Sequence, residues 1–211
     1  MEQTMEKAVV GVAMTALASS VCAATVNFDQ DPVGSLPSGW EAGVTGSGSP
    51  RWTIEADATA PSPPNVLKQS GQGTFPWCVT KDASLTDGFV EVKFKPLSGR
   101  EDQAGGVMWR WKDGNNYYIA RANALENNVS LYYTEGGRRK TIKYVDAPVA
   151  SQQWHQLRVE FQAQKIRVIF DGKERIAVQD THISGPGAVG VWTKADSVTV
   201  FDDFSYGTLA P

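Results

Sequence analysis

GGVMWRWKDGNNYYIARANALENNVSLYY, residues Gly105–Tyr133, contains the reading that decides the fold. Val107, Trp109 and Trp111 alternate with Met108 and Arg110, a period of two that belongs to a strand and not to a helix. Asp113-Gly114-Asn115 interrupts the pattern with turn residues, and Asn116–Asn123 resumes it as a second strand. Val129–Thr134 reads as a third, and Gly136-Gly137 joins it to Arg138–Val145 as a two-residue hairpin.

The same pattern extends outward on both sides. Val90, Val92 and Phe94 alternate with Glu91, Lys93 and Lys95, and Leu157, Val159 and Phe161 alternate with Arg158 and Glu160. Ile166, Val168 and Phe170 follow after a short turn, and Asp171-Gly172 joins them to Glu174–Gln179 as another hairpin. About a dozen strands result, each expected to have one apolar and one mostly polar face, as in antiparallel sheets. That is too many for one flat sheet, so the expected fold class is all-β, a two-sheet antiparallel jelly-roll sandwich. The first strand is placed at Thr25–Phe28. Gly34–Pro50, with its GSLPSGW and TGSGSP segments, is expected to be a long surface loop, and Ala60–Pro64 a second. Neither has a domain before it to link, so residues 25–211 are read as a single domain.

Composition excludes several functions. The 211 residues include seven Trp, six Tyr and eight Phe, ample apolar area for a core and incompatible with a disordered chain. The net charge of −3 lacks the basic excess of a dedicated nucleic-acid binder. Two cysteines cannot build a disulfide framework.

Ala8–Ala18 (AVVGVAMTALA) is shorter than the roughly 20 apolar residues that span a bilayer. Small residues follow it, so residues 1–24 are read as a secretory signal peptide cut after Ala23 or Ala24. The mature protein is then periplasmic or extracellular. A start at Met5 in place of Met1 would remove Glu2 and restore a positive end. Cys22 admits lipid attachment as a minor alternative. Cleavage would leave Cys78 alone between Trp77 and Val79, where it is expected to be a buried thiol.

The segments Gly105–Tyr133, Trp154–Phe161 (WHQLRVEF), Ile166–Lys173 (IRVIFDGK) and Gly187–Phe204 (GAVGVWTKADSVTVFDDF) resemble the concanavalin A-like lectin/glucanase superfamily. Within it the chain is similar to the laminin-G-like and DUF1080 domains of exported bacterial proteins. The latter are often described as 3-keto-disaccharide hydrolase or family-16-hydrolase-like. Trp52–Leu67 extends the likeness to nearly the whole mature chain. The resemblance implies a jelly roll and a role in saccharide binding or cleavage. It also implies a structural Ca²⁺ joining first and last strands, with Asp29, Asp202 and Asp203 as ligands and no other cofactor required. It does not extend to the family-16 catalytic pattern E-x-D-x-x-E, which is absent: Glu91 is followed by Lys93 and Lys95, and Glu160 by Gln162 and Gln164.

The expected ligand is a carbohydrate or a glycosylated surface. Arg110 and Arg121 are placed on one polar sheet face, with Asn123 and Glu126 following in the same loop region. Such side chains supply the fixed donors and acceptors that sugar hydroxyls require. Tyr118 or Trp192 is expected to be the aromatic platform for the sugar's C–H face. Were the protein an enzyme acting on 3-keto-glycosides, Glu126 or Asp196 would be the base. A laminin-G-like adhesion module with a protein partner is the third reading. The two histidines, His155 at a strand entry and His182 in a turn, have ordinary structural explanations. The run Arg138-Arg139-Lys140 reads as a solvated hairpin edge that resists strand pairing.

Overall fold

A computed structural model of the chain describes residues 23–209. The signal-peptide and Cys22 readings lie outside the described residues, apart from Ala23 and Ala24. Every regular element described is a strand, in this order. β1 is Ala23–Val26, β2 Trp40–Ser49, β3 Trp52–Ala56, β4 Asn65–Gln69 and β5 Gln72–Leu85. β6 is Gly88–Ser98, β7 Ala104–Asp113, β8 Asn116–Asn123, β9 Asn128–Glu135 and β10 Arg138–Asp146. β11 is His155–Gln162, β12 Lys165–Phe170, β13 Lys173–Gln179, β14 Gly187–Trp192 and β15 Val198–Gly207.

These form two antiparallel sheets. One runs β13-β12-β11-β6-β15-β4-β3, with β1 also paired to β15; the other runs β10-β9-β8-β7-β14-β5-β2. Between them lies a core that includes Phe94, Trp109, Tyr118, Phe161, Phe170 and Phe201. The fold is therefore the jelly-roll sandwich that the alternation implies. The Asp171-Gly172 and Gly136-Gly137 hairpins fall where the turn residues place them. Cys78 is fully buried in this core, and burial pushes its thiol pKa well up.

The structure corrects two expectations. Trp40–Ser49, read as part of a surface loop, is strand β2, paired with β5 from Trp40↔Thr80 to Ser49↔Gln72. Its glycines hide it from a propensity reading but serve the packing: a Cβ on Gly43 would lie 2.4 Å from the Trp77 ring. Thus β2 leaves room for an aromatic side chain of its neighbour, and Gly at that position reflects close approach and not a loop.

The second correction concerns the faces. The outer face of the seven-stranded sheet is not a plain polar surface. Trp77, Val79, Met108, Tyr117, Ile119, Tyr132 and Trp192 form a second buried cluster there, with Phe75 and Trp111 packed against it. Strand β8 is consequently buried on both faces from Tyr117 to Asn123. A sandwich sheet that merely faced water would not carry such a layer.

Candidate functional site

The site rises from the polar end of that aromatic layer. In β8, Tyr117, Ile119, Arg121 and Asn123 share one face because side chains alternate. The register Arg121↔Ser130 and Asn123↔Asn128 sets Asn128 of β9 beside them. The register Ala104↔Asn123 brings in the residues just before β7, including Asp102. Lys194 follows the end of β14, the strand on the other side of β7.

These residues form one network. Arg121, 2% exposed, donates to Glu126 at 2.6 Å, to Asn128 Oδ1 at 3.1 Å and lies 3.5 Å from Asp102. Asp102 is fully buried and also accepts from Lys194 at 2.5 Å and from Asn123 Nδ2 at 2.7 Å. Burial raises the Asp102 pKa by more than the charges of Lys194 and Arg121 lower it. Glu126 differs. Its partial burial would raise its pKa, but the Asn128 amide and the Arg121 charge outweigh this and hold it below the usual range. Glu126 is 40% exposed, so it is the ionised carboxylate that this network presents to solvent. Asn128 Nδ2 donates to it at 2.8 Å and also lies 2.5 Å from the hydroxyl of Tyr144, a half-exposed side chain of β10.

Beside the network is a recess of about 430 Å³, lined among others by Gln72, Thr74, Phe75, Glu101, Arg139 and Lys194. Its wall is built by Arg139. The guanidinium carbon lies 4.3 Å from the Tyr132 ring centroid, 4.6 Å from that of Phe75 and 5.7 Å from that of Trp192. Such contacts fix the guanidinium plane and satisfy its faces, not its in-plane donors. Asp196 shapes the rim: its carboxylate accepts the backbone N–H groups of Arg100, Glu101 and Asp102 at 2.7, 3.0 and 3.0 Å.

Of the side chains expected at a ligand site, the structure brings Arg121, Asn123 and Glu126 together. It places three others elsewhere. Arg110 does not share the face of Arg121, because β7 is bulged after Trp109 and Arg110 takes a φ of 47°. Its guanidinium is 3% exposed and donates to the carbonyls of Thr86, Ile183 and Ala163, and to Asp87. Tyr118 points into the core, stacked on Trp109 at 5.2 Å, with its hydroxyl bonded to Asp180. Trp192 lies on the expected face but is fully buried, stacked with Phe75 at 5.5 Å. Asp196 has its carboxylate turned to three backbone donors. Those bonds outweigh the opposite effect of burial and keep its pKa low.

Arg139 is the residue that the sequence reading missed. Its basic neighbours Arg138 and Lys140 are exposed, as a solvated hairpin edge requires, and they disguise the one member that turns onto the aromatic layer. The signal available was the aromatic content of the strands it joins. Asp102 and Lys194 carried no local signal; only the long-range register assembles them.

The two histidines have partners. His155 contacts Asp171 at 2.8 Å and the Ala150 carbonyl at 2.9 Å; His182 stacks on Tyr133 at 3.8 Å and pairs with Asp180. Among the described residues no group of three or more His, Cys, Asp or Glu is placed to hold a metal. Asp203 turns to Lys93 at 2.8 Å, leaving Asp29 and Asp202 as the acidic residues between first and last strands. Each of their carboxylate oxygens accepts one N–H, from Asn65 and Asn27 or from Ser62 and Asp203. A second lone pair remains on each oxygen, and all-oxygen ligation suits Ca²⁺, which would need carbonyls or water to complete its shell.

Known structures share the architecture. The carbohydrate binding module CBM66 from Bacillus subtilis superposes with a TM-score of 0.67 at 19% identity, covering 81% of this chain and 96% of its own. A protein of unknown function with a galectin-like fold, also from Bacillus subtilis, has a TM-score of 0.59 at 11% identity, covering 80% and 89%. The Bacillus licheniformis beta-glucanase has a TM-score of 0.58 at 13% identity, covering 90% and 99%. At these identities the likeness establishes the fold, which is that of the concanavalin A-like jelly rolls. No curated protein matches the chain. Over residues 24–204, nearly the whole sandwich, the sequence matches a described family, and the chain belongs to the 3-keto-alpha-glucoside-1,2-lyase-like domains.

Proposed function

We propose that the protein binds a saccharide on the outer face of its seven-stranded sheet, in the recess lined by Arg139 and by Lys194 of the Arg121–Asp102–Lys194 network. One observation carries this reading: a charged, mutually hydrogen-bonded cluster on an aromatic floor opens onto a recess of about 430 Å³. Glu126 supplies an acceptor, and Lys194 and Arg139 supply donors, as a polyhydroxyl ligand requires. Phe75 lines the recess and offers an apolar ring to the C–H face of a sugar. The fold shared with a carbohydrate binding module supports the same reading. Ligand-observed NMR against plain and 3-keto disaccharides tests it: saturation transfer to a sugar is expected, and silence across the panel would contradict it.

A second reading, chemistry on the bound sugar, is favoured by the family assignment. In a 1,2-elimination from a 3-keto-glucoside, the ketone acidifies the C2–H. A base takes that proton, a C1=C2 double bond forms, and the C1–O bond breaks, the leaving oxygen taking up a proton from the protonated base or from water to depart as the alcohol. Glu126 is the ionised carboxylate exposed at the site, and the nearby guanidinium groups would stabilise the enolate charge. New product signals in the same NMR samples would establish this reading over simple binding.

A further inference from the structure

The recess holds a cation without an ion-pair partner among the described residues. Arg121 and Lys194 each meet a carboxylate, Arg121 meeting two. Arg139 has no carboxylate within ion-pair distance among the described residues, although its guanidinium is enclosed by Tyr132, Phe75 and Trp192. Its Nη1 is buried and has no acceptor. Burial, helped by the nearby charge of Arg121, pushes its pKa down by more than Tyr132 and the more distant Asp102 and Glu126 raise it. A desolvated charge of this kind is costly unless an opposite charge and hydrogen bonds satisfy it. Neutral hydroxyls would meet the hydrogen-bonding need but not the charge.

The acidic groups of the recess do not serve that role. Asp196 spends its carboxylate on the three backbone N–H groups of residues 100–102, and Asp102, buried behind the recess, is held by Lys194, Arg121 and Asn123. Glu101 is exposed at the rim and makes no ion pair among the described residues. The guanidinium fork matches a carboxylate bidentately, and its fixed plane lowers the ordering cost of that contact.

The geometry points to a carboxylate-bearing saccharide, a uronic acid residue, as the ligand of this recess, with its carboxylate on Arg139. This deepens the saccharide-binding reading and rests on it. Calorimetric titration of the protein with a glucuronate-containing disaccharide, its neutral glucose counterpart and a 6-sulfated counterpart tests the inference. The uronate is expected to bind at least tenfold more tightly than the neutral sugar, with affinity falling as NaCl rises from 50 to 500 mM. Arg139→Met, which keeps an apolar side chain over Tyr132, should bring the uronate down to the affinity of the neutral sugar, with unchanged circular dichroism. Glu101→Gln, which removes a like charge from the rim, should tighten uronate binding and would contradict the inference by weakening it.

Equal affinity for acidic and neutral sugars, or preference for the sulfated one, would overturn the carboxylate assignment and leave saccharide binding intact. Failure of every sugar to bind would overturn both. An Arg139→Met variant that is folded and retains the full uronate preference would also overturn the assignment.

Discussion

Arg121 and Glu126 are joined by a 2.6 Å ion pair of which one end is buried and the other is not: the guanidinium is 2% exposed and the carboxylate 40%. The pair therefore links a charge inside the protein to one at its surface. Its two ends should respond differently to substitution. Arg121→Met leaves the buried Asp102 with Lys194 and Asn123 alone and should cost about 3–5 kcal/mol, the usual result of breaking a buried pair on one side. Glu126→Gln removes a solvent-screened partner, should cost within about 1 kcal/mol, and should abolish saccharide binding or turnover. Chemical denaturation and NMR titration of both variants check the contrast.

Arg110 provides the opposite case. It ties the Thr86, Ala163 and Ile183 carbonyls together at one edge of the sandwich. Arg110→Ala leaves three acceptors without their donor and should destabilise by about 2–3 kcal/mol. Sugar affinity at a temperature where the variant is folded should be unchanged. A loss of affinity with stability preserved would place Arg110 at the ligand after all.

Asp202 should report on cations and pH together. Burial, more than the nearby Asp203 and Asp29 charges, raises its pKa to about 6. The folded state then holds a proton between about pH 4 and 6 that the unfolded chain has released. This group's contribution is accordingly most favourable below about pH 4, and stability falls as pH rises through 6. Carbon-detected NMR should give an Asp202 titration midpoint near 6. Calcium at pH 7 should raise the melting temperature by several degrees if an ion joins Asp29 and Asp202, and EDTA should reverse it. A melting temperature indifferent to both would remove structural calcium from the account.

The Cys78 thiol should be inert. It is fully buried with its pKa well raised, and thiolate is the reactive form. An aromatic disulfide reagent should modify it only in denaturant. Rapid modification of the folded protein would show that β5 opens locally.

The alternation of Val107, Trp109, Val90, Val92 and Phe94 was enough to read the sandwich, because inward-facing positions obey a period of two wherever a core must be filled. The site was only half legible. Arg121, Asn123 and Glu126 lie within six residues of one another, so local spacing placed them together. Arg110 deceived because a bulge breaks the period at that residue, and a single positive φ redirects the side chain in a way that alternation does not anticipate. Trp192 differs: it lies on the same sheet face as Arg121, but Phe75 and Arg139 from β5 and β10 pack against its ring and bury it. Asp102 and Lys194 meet across a separation of 92 residues, which no local pattern encodes.

The most direct test of the saccharide-binding face is an assigned amide-correlation NMR titration with whichever disaccharide shows saturation transfer. The amides of Arg121, Asn128, Arg139 and Lys194 should shift together with one dissociation constant, while those around Trp154 and Arg167 on the other sheet stay fixed. Shifts confined to the eight-stranded sheet, with the recess residues unmoved, would contradict the central claim.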